Sequence, residues 1–257
     1  MPLSDKKALV TGGRRNIGRG IALALAEAGC DIGINDLERD ADAEKTLRLI
    51  QETGRKASFF HGDISKADQV QSMVDAFLSE FGGIDILVNN PYFAEHKSFL
   101  EIPEEIWDRT LDVCLKGFFL CSQRVARAMV EKGTGGCIVS ISSVHAARVW
   151  LNDTCYGVAK AGILRLTESM AVELAKYSIR CNAILPGYMD TNHVFGTDPP
   201  AQGSIAEHLH RFIPTQRPGT PEDIGRTVVF LCSSAADNIT GVSLRVDGGL
   251  LVTEGIP

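Results

Sequence analysis

The chain has 257 residues, 44% of them hydrophobic and 23% charged, with a formal net charge of −6. That is the balance of a globular chain with a sizeable core, at a length normal for one α/β domain. An acidic balance with scattered Lys and Arg argues against a nucleic-acid or anionic-membrane surface, and no apolar run is long enough to span a bilayer.

Short apolar runs alternate with longer helical ones along the whole chain. Strands are expected at 7–11, 31–35, 56–61, 84–89, 136–140, 179–185 and 243–246. Most are apolar throughout, as suits strands buried on both faces. Helices are expected at 17–28, 40–53, 66–81, 104–132, 156–176 and 221–233, several stopped by glycine (Gly29, Gly54, Gly82, Gly133). This rhythm predicts one doubly wound α/β domain over 1–257 with a seven-stranded parallel sheet. The stretch 188–218 breaks it, with four prolines and three histidines, and reads as a substrate loop or lid, or else a surface insertion. Residues 1–7 run straight into the first strand and leave no room for a signal peptide. Seven cysteines, an odd number with no CxxC pair, suggest a reducing cytoplasm rather than a disulfide framework or zinc site. The pair His208 and His210 lacks a nearby acid or Cys, so no metal site is expected.

The first strand runs into Thr11-Gly-Gly-Arg-Arg-Asn-Ile-Gly-Arg-Gly20 and then a helix. A glycine-rich turn there lets backbone approach a pyrophosphate, with the free N–H groups of the helix start facing it. Asp36 ends the second strand, 18 residues beyond Gly18, near the spacing of an acid that binds ribose hydroxyls. A carboxylate there repels a 2′-phosphate and favours NAD over NADP, whereas Arg15 argues mildly the other way. A ligand-free tight turn and a turn or cap aspartate are the structural alternatives.

Downstream, Ser143 follows the fifth strand and Tyr156-Gly-Val-Ala-Lys160 opens a helix. Tyr and Lys at i and i+4 share a helix face. A phenol is a poor acid or base near neutrality; a nearby ammonium and an oxidised nicotinamide would stabilise the phenolate. A serine hydroxyl can hold a substrate oxygen beside the phenol. A Tyr/Lys pair on a solvated face is the competing reading.

With these residues in place, the chain resembles the short-chain dehydrogenase/reductase family over nearly its whole length. The resemblance includes 3-oxoacyl-carrier-protein reductase-like and sugar or secondary-alcohol dehydrogenase members. It implies a Rossmann-type domain and a Ser143, Tyr156, Lys160 triad, with Tyr156 as acid/base. Lys160 would lower the phenol's pKa and bind the nicotinamide ribose. It also implies cofactor contacts from Gly12, Arg15, Asn16, Ile17 and Gly18 in the turn, Asp36 with Leu37, Asp63 with Ile64, and Asn90. Further contacts would come from Tyr156, Lys160, Pro186, Gly187 and Thr191. A homotetramer is expected by resemblance. Three positions depart from the family pattern: Asn16 for glycine, Pro91-Tyr92 for Ala-Gly, and Cys114 for an asparagine in a water relay. Asn tolerates left-handed backbone better than other non-glycine residues, so the turn can survive. Candidate substrate contacts are His145, Arg148, Trp150, Tyr188 and His193, with Leu151, Asn152, Met189 and Phe195 nearby. His145 reads more readily as a structural histidine than as a second acid/base.

The implied reaction is reversible hydride transfer between NAD(H) and a secondary alcohol or ketone. The substrate would be a small molecule: a sugar or polyol, a hydroxysteroid-like alcohol, or a 3-oxoacyl thioester. The rivals are a nucleotide-binding sensor with impaired catalysis and an epimerase or dehydratase on the same scaffold.

Overall fold

In the computed structural model, described over residues 3–191 and 212–253, seven parallel strands form one sheet in the order β3-β2-β1-β4-β5-β6-β7. They are β1 (Lys7–Thr11), β2 (Asp31–Asp36), β3 (Ala57–His61), β4 (Ile86–Asn89), β5 (Gly136–Ile141), β6 (Ile179–Pro186) and β7 (Ser243–Val246). The helices are α1 (Asn16–Glu27), α2 (Ala41–Glu52), α3 (Ala67–Phe81), α4 (Glu104–Leu111), α5 (Gly117–Lys132), α6 (Thr154–Leu174) and α7 (Pro221–Cys232).

Alternation along each strand builds two cores. Ala8, Val10, Ile32, Ile34, Ile86 and Val88 point to one face and are covered by Ile21 and Leu25 of α1, Leu47 and Ile50 of α2, and Ile224 and Val228 of α7. Leu9, Phe60, Leu87 and Ile138 point to the other, under Phe77 of α3, Phe118 and Val125 of α5, and Ile163 of α6. Each such Val, Leu, Ile or Phe side chain contributes about 1.5–3 kcal/mol of burial. A sheet covered on both faces has no polar side, which is why its strands read as unbroken apolar runs.

Helix ends follow local chemistry. Gly29, Gly54, Gly82 and Gly133 all have positive φ just past helices. Asp40 caps α2 by accepting from the Ala43 N–H, and Thr220 and Asp223 form a reciprocal capping box at α7 with Pro221 in its first turn. One expectation is corrected: the helix over 104–132 is interrupted. A π-helical turn, Asp112–Lys116, separates α4 from α5, a one-residue slip in the hydrogen-bond ladder of the kind found near functional sites. No helix among the described residues is long and apolar enough to cross a membrane.

Candidate active site

Strand order reverses about β1: the chain runs outward to β3, then returns to place β4 on β1's other side. Such a switch point opens a crevice at the carboxyl ends of the strands. Two polar groups pin it: Thr11 Oγ1 donates to the Val88 carbonyl at 3.2 Å, and Asn90 Nδ2 donates to the Gly12 carbonyl at 3.0 Å. A cleft of about 440 Å³ lies there, the size of a cofactor site. It is lined by every residue assigned to cofactor contact or catalysis: Gly12, Arg15, Asn16, Ile17, Gly18, Asp36, Leu37, Asp63, Ile64, Asn90, Ser143, Tyr156, Lys160, Pro186, Gly187 and Thr191.

The turn at one end fits a phosphate. A Cβ on Gly18 would lie 2.0 Å from the Gly12 carbonyl oxygen, so no side chain can stand there. Asn16 takes the left-handed backbone (φ 51°) that the missing glycine would have taken. Arg15, the N-cap of α1, offers no side-chain acceptor, which leaves the first-turn N–H groups open to an anion. The unusual Pro91 fits against bare Gly12, where a Cβ would meet its ring at 3.1 Å.

Asp36 sits at the far corner, accepting from the Leu37 N–H at 2.9 Å. Burial pushes its carboxyl up from the ordinary value; the Leu37 N–H and the Arg14 guanidinium oppose that. Arg14, not Arg15, carries this corner's charge balance. Its Nε lies 3.4 Å from Asp36 Oδ1, and its Nη1 donates to Glu38 at 3.1 Å and also to Asp40. The signal for Arg14 lay in the acidic cluster at 36–40, opposite the turn's two arginines.

At the other end, Ser143 lies two residues past β5 and Tyr156 in the first turn of α6. The neighbouring Ser142 is committed elsewhere, donating to the Lys160 carbonyl at 2.8 Å. Tyr156 is strongly perturbed. Burial pushes its phenol upward, the Ser143 hydroxyl hydrogen-bonded to it pulls the other way, and Cys114, Asp153 and Tyr92 add to the rise. Lys160 is 1% exposed, and its Nζ donates to the Ile141 carbonyl at 2.9 Å, 5.5 Å from the Tyr156 ring centroid. Burial pushes its ammonium down. The expected lowering of the phenol's pKa is therefore not what the protein alone produces: burial outweighs the Ser143 bond.

Cys114, in the π turn, is fully buried; its Sγ accepts from the Phe93 N–H at 3.1 Å and donates to the Phe93 carbonyl at 3.4 Å. The thiol thus ties the segment after β4 to the helix beneath it. His145 Nδ1 lies 2.5 Å from Asp153 Oδ2, and its ring stacks on Trp150 at 4.2 Å. His145, Arg148, Trp150 and Tyr188 lie outside the cleft lining, whereas Met189 is in it. Trp150 packs with Val144, Ile213 and Leu250. Leu151 is exposed, and Asn152 takes a left-handed turn conformation. His193, Phe195, His208, His210 and most of the 188–218 stretch fall outside the described residues. Sequence reasoning missed Val113 and Ile141 as lining residues, since nothing in their types marks them for a cleft, whereas Pro91 and Tyr92, the departure noted beside Asn90, do line it.

Comparison with known proteins agrees with this geometry. The family model described as Enoyl-(Acyl carrier protein) reductase matches residues 12–251. The chain is 39% identical over 250 residues to a 2-dehydro-3-deoxy-D-gluconate 5-dehydrogenase of Escherichia coli K12, covering 97% of this chain and 96% of that protein. It is 36% identical over 248 residues to a 3-oxoacyl-[acyl-carrier-protein] reductase of Chlamydia muridarum, covering 96% and 98%. A crystal structure of a short-chain type dehydrogenase/reductase from Mycobacterium marinum superposes with a TM-score of 0.88 at 34% identity, covering 98% and 97%. The chain belongs to the short-chain dehydrogenase/reductase family.

Proposed function

We propose that the protein is an NAD(P)-dependent oxidoreductase, preferring NAD, that interconverts a secondary alcohol and its ketone. The observation that carries this reading is one cleft holding an open helix N-terminus and Asp36 at one end and Ser143, Tyr156 and Lys160 at the other. When bound, the nicotinamide donates or accepts the hydride.

The remaining chemistry belongs to the chain. Tyr156 holds a proton at the substrate oxygen in the reducing direction, which its raised pKa favours. In the oxidising direction it takes that proton, and a positive charge in the dry cleft then offsets the burial that disfavours phenolate. Ser143 orients the same oxygen. Lys160 anchors under the site through the Ile141 carbonyl. Asp36 meets adenosine ribose hydroxyls and disfavours a 2′-phosphate, while Arg14 and Arg15 temper that preference.

The 188–218 segment is proposed as the substrate lid of a single domain. Phe119, Val130, Val172 and Tyr177 leave apolar surface on the outer faces of α5 and α6 and just beyond, which supports assembly into a homotetramer. A cytoplasmic setting suits seven free cysteines, six of them buried. The three departures from the family pattern do not favour a sensor, because Asn16, Pro91 and Cys114 all fit without closing the cleft. The test is a panel of polyols, secondary alcohols, ketones and 3-oxoacyl thioesters followed by NADH or NADPH absorbance. Turnover with net cofactor consumption is expected; binding of NADH with no turnover of any substrate would overturn the reading.

A further inference from the structure

All seven cysteines lie among the described residues; six are buried and Cys232 is half-buried. Cys232 is the last residue of α7, and Cys137 is the second residue of β5. Both pack into the core under α7, where Cys137 Sγ donates to the Leu231 carbonyl at 3.6 Å. The thiols of Cys137 and Cys232 are hydrogen-bonded to one another. The pair sits at the amino end of the sheet, away from the cleft at the carboxyl ends, and the hydride-transfer reading does not use it.

A cation is built in beside the pair. Arg180 of β6 stands in register with Cys137 of β5. Its Nη1 donates to the Leu231 carbonyl at 2.6 Å and to the Ile239 carbonyl at 3.3 Å, and its Nη2 to the Ser233 carbonyl at 3.4 Å. These bonds hold a guanidinium against the carbonyl end of α7, where it offsets the negative end of the helix dipole and favours a thiolate. Cys30, Cys121 and Cys181 are fully buried with no thiol donating to them, and burial pushes each up to about 12. Cys137 is as deeply placed, yet its thiol is held below the ordinary value by the Cys232 hydrogen bond and by Arg180. Cys232, which keeps its proton in that bond, is pushed up. Buried structural cysteines are inert, whereas a thiolate beside a second thiol and a cation is the arrangement of a reactive one.

We propose that Cys137 and Cys232 form a reversible oxidation site, a dithiol that a small hydroperoxide converts to an intramolecular disulfide. The Cys137 sulfur attacks one peroxide oxygen. An S–O bond forms, the O–O bond breaks, and the departing oxygen takes up the proton that Cys137 released, leaving as water or an alcohol. The Cys232 sulfur then attacks the Cys137 sulfur. An S–S bond forms, the S–O bond breaks, and the departing hydroxide takes the Cys232 proton and leaves as water. Two thiols lose two electrons in all and one peroxide gains them. Half-buried Cys232 marks the side from which a small oxidant reaches the pair. The cross-link ties the end of α7 to the start of β5 and closes a long loop, which constrains the unfolded chain.

The experiment uses the full-length, ligand-free protein, fully reduced and then freed of reductant. It is treated with a small molar excess of hydrogen peroxide, quenched with catalase, and alkylated with N-ethylmaleimide under denaturing conditions. Digestion without reduction and mass spectrometry should find one linked pair of peptides, carrying Cys137 and Cys232, with the other five of the seven cysteines alkylated. Loss of these two thiols should run at least about tenfold faster than loss of Cys30, Cys121 or Cys181. Dithiothreitol should restore all seven. The cross-linked protein should melt about 5–10 °C above the reduced one. Cys232→Ser should yield no linked peptide and no gain in Tm on treatment, and Cys232→Ala serves the same comparison if the Ser variant does not fold. Seven thiols surviving a dose that oxidises free cysteine would overturn the proposal. So would a link from Cys232 to Cys30, a Cys232 carried to sulfinic acid with no link, or a cross-linked protein that melts below the reduced one.

Discussion

Replacing Lys160 by Met separates a buried charge's cost from its catalytic use. The lysine is 1% exposed, with one recorded hydrogen bond, Nζ to the Ile141 carbonyl at 2.9 Å, and its ammonium is pushed below its ordinary pKa by burial. Removing such a charge gains about 1–4 kcal/mol, while leaving the Ile141 carbonyl without that donor costs about 1–3 kcal/mol. The two nearly cancel, so the melting temperature at neutral pH should move by only a few degrees. The pH dependence does not cancel. A folded-state pKa below the unfolded value means the unfolded chain binds more protons, so the wild type gains stability as pH rises toward 10.5. The variant lacks that gain. Each unit of lowering is worth about 1.4 kcal/mol, roughly 3–5 °C in a chain of this size. Thermal melts of both ligand-free proteins from pH 7 to 10.5 should show wild type gaining on the variant as pH rises. A difference that stays constant, or runs the other way, would refute the argument that burial depresses this ammonium.

Three further outcomes are expected. Asp36→Ala should narrow the preference for NAD over NADP, read from kcat/KM with each cofactor; an unchanged ratio would remove Asp36 from cofactor choice. Cys114→Ala strips the Phe93 N–H and carbonyl of their sulfur partner and should cost about 1 kcal/mol, a fall of about 2–4 °C in Tm, whereas Cys114→Asn should recover much of it; an Ala variant as stable as wild type would contradict the proposed tie. Asp223, whose carboxyl is held at about 2 by Arg217, Arg226 and the Thr220 N–H, caps α7. Asp223→Ala should cost about 1–2 kcal/mol at neutral pH. Because the folded pKa is depressed, that stability is present above the unfolded value near 4 and is lost as pH falls toward 2, so the two proteins' melts should converge there.

The fold was legible because the strands are buried on both faces, so nothing polar interrupts them. All seven strands were anticipated, with ends shifted by at most two residues. The π turn at 112–116 was not, since a one-residue slip leaves helical periodicity almost unchanged. The glycine turn and the Tyr156/Lys160 spacing were readable because backbone approach and helix geometry each constrain residue type. Arg14 was passed over for Arg15: two adjacent arginines look alike until β2 and the 36–40 cluster give one of them partners. His145 read as a structural histidine, and its bond to Asp153 fits that. Its neighbour Tyr156, however, comes from an eleven-residue excursion that periodicity cannot trace. The substrate side stayed least legible, because its residues sit on loops whose paths no repeating pattern encodes.

The account's central claim is that Tyr156 moves the proton at the substrate oxygen, and Tyr156→Phe tests it most directly. Cofactor affinity by NADH fluorescence should change less than about twofold, since the substitution removes one hydroxyl and leaves the ring in place. Turnover of the best alcohol should fall by about 10²–10⁴, the usual worth of a positioned acid/base. A Phe variant that keeps near wild-type turnover with intact cofactor binding would contradict the claim.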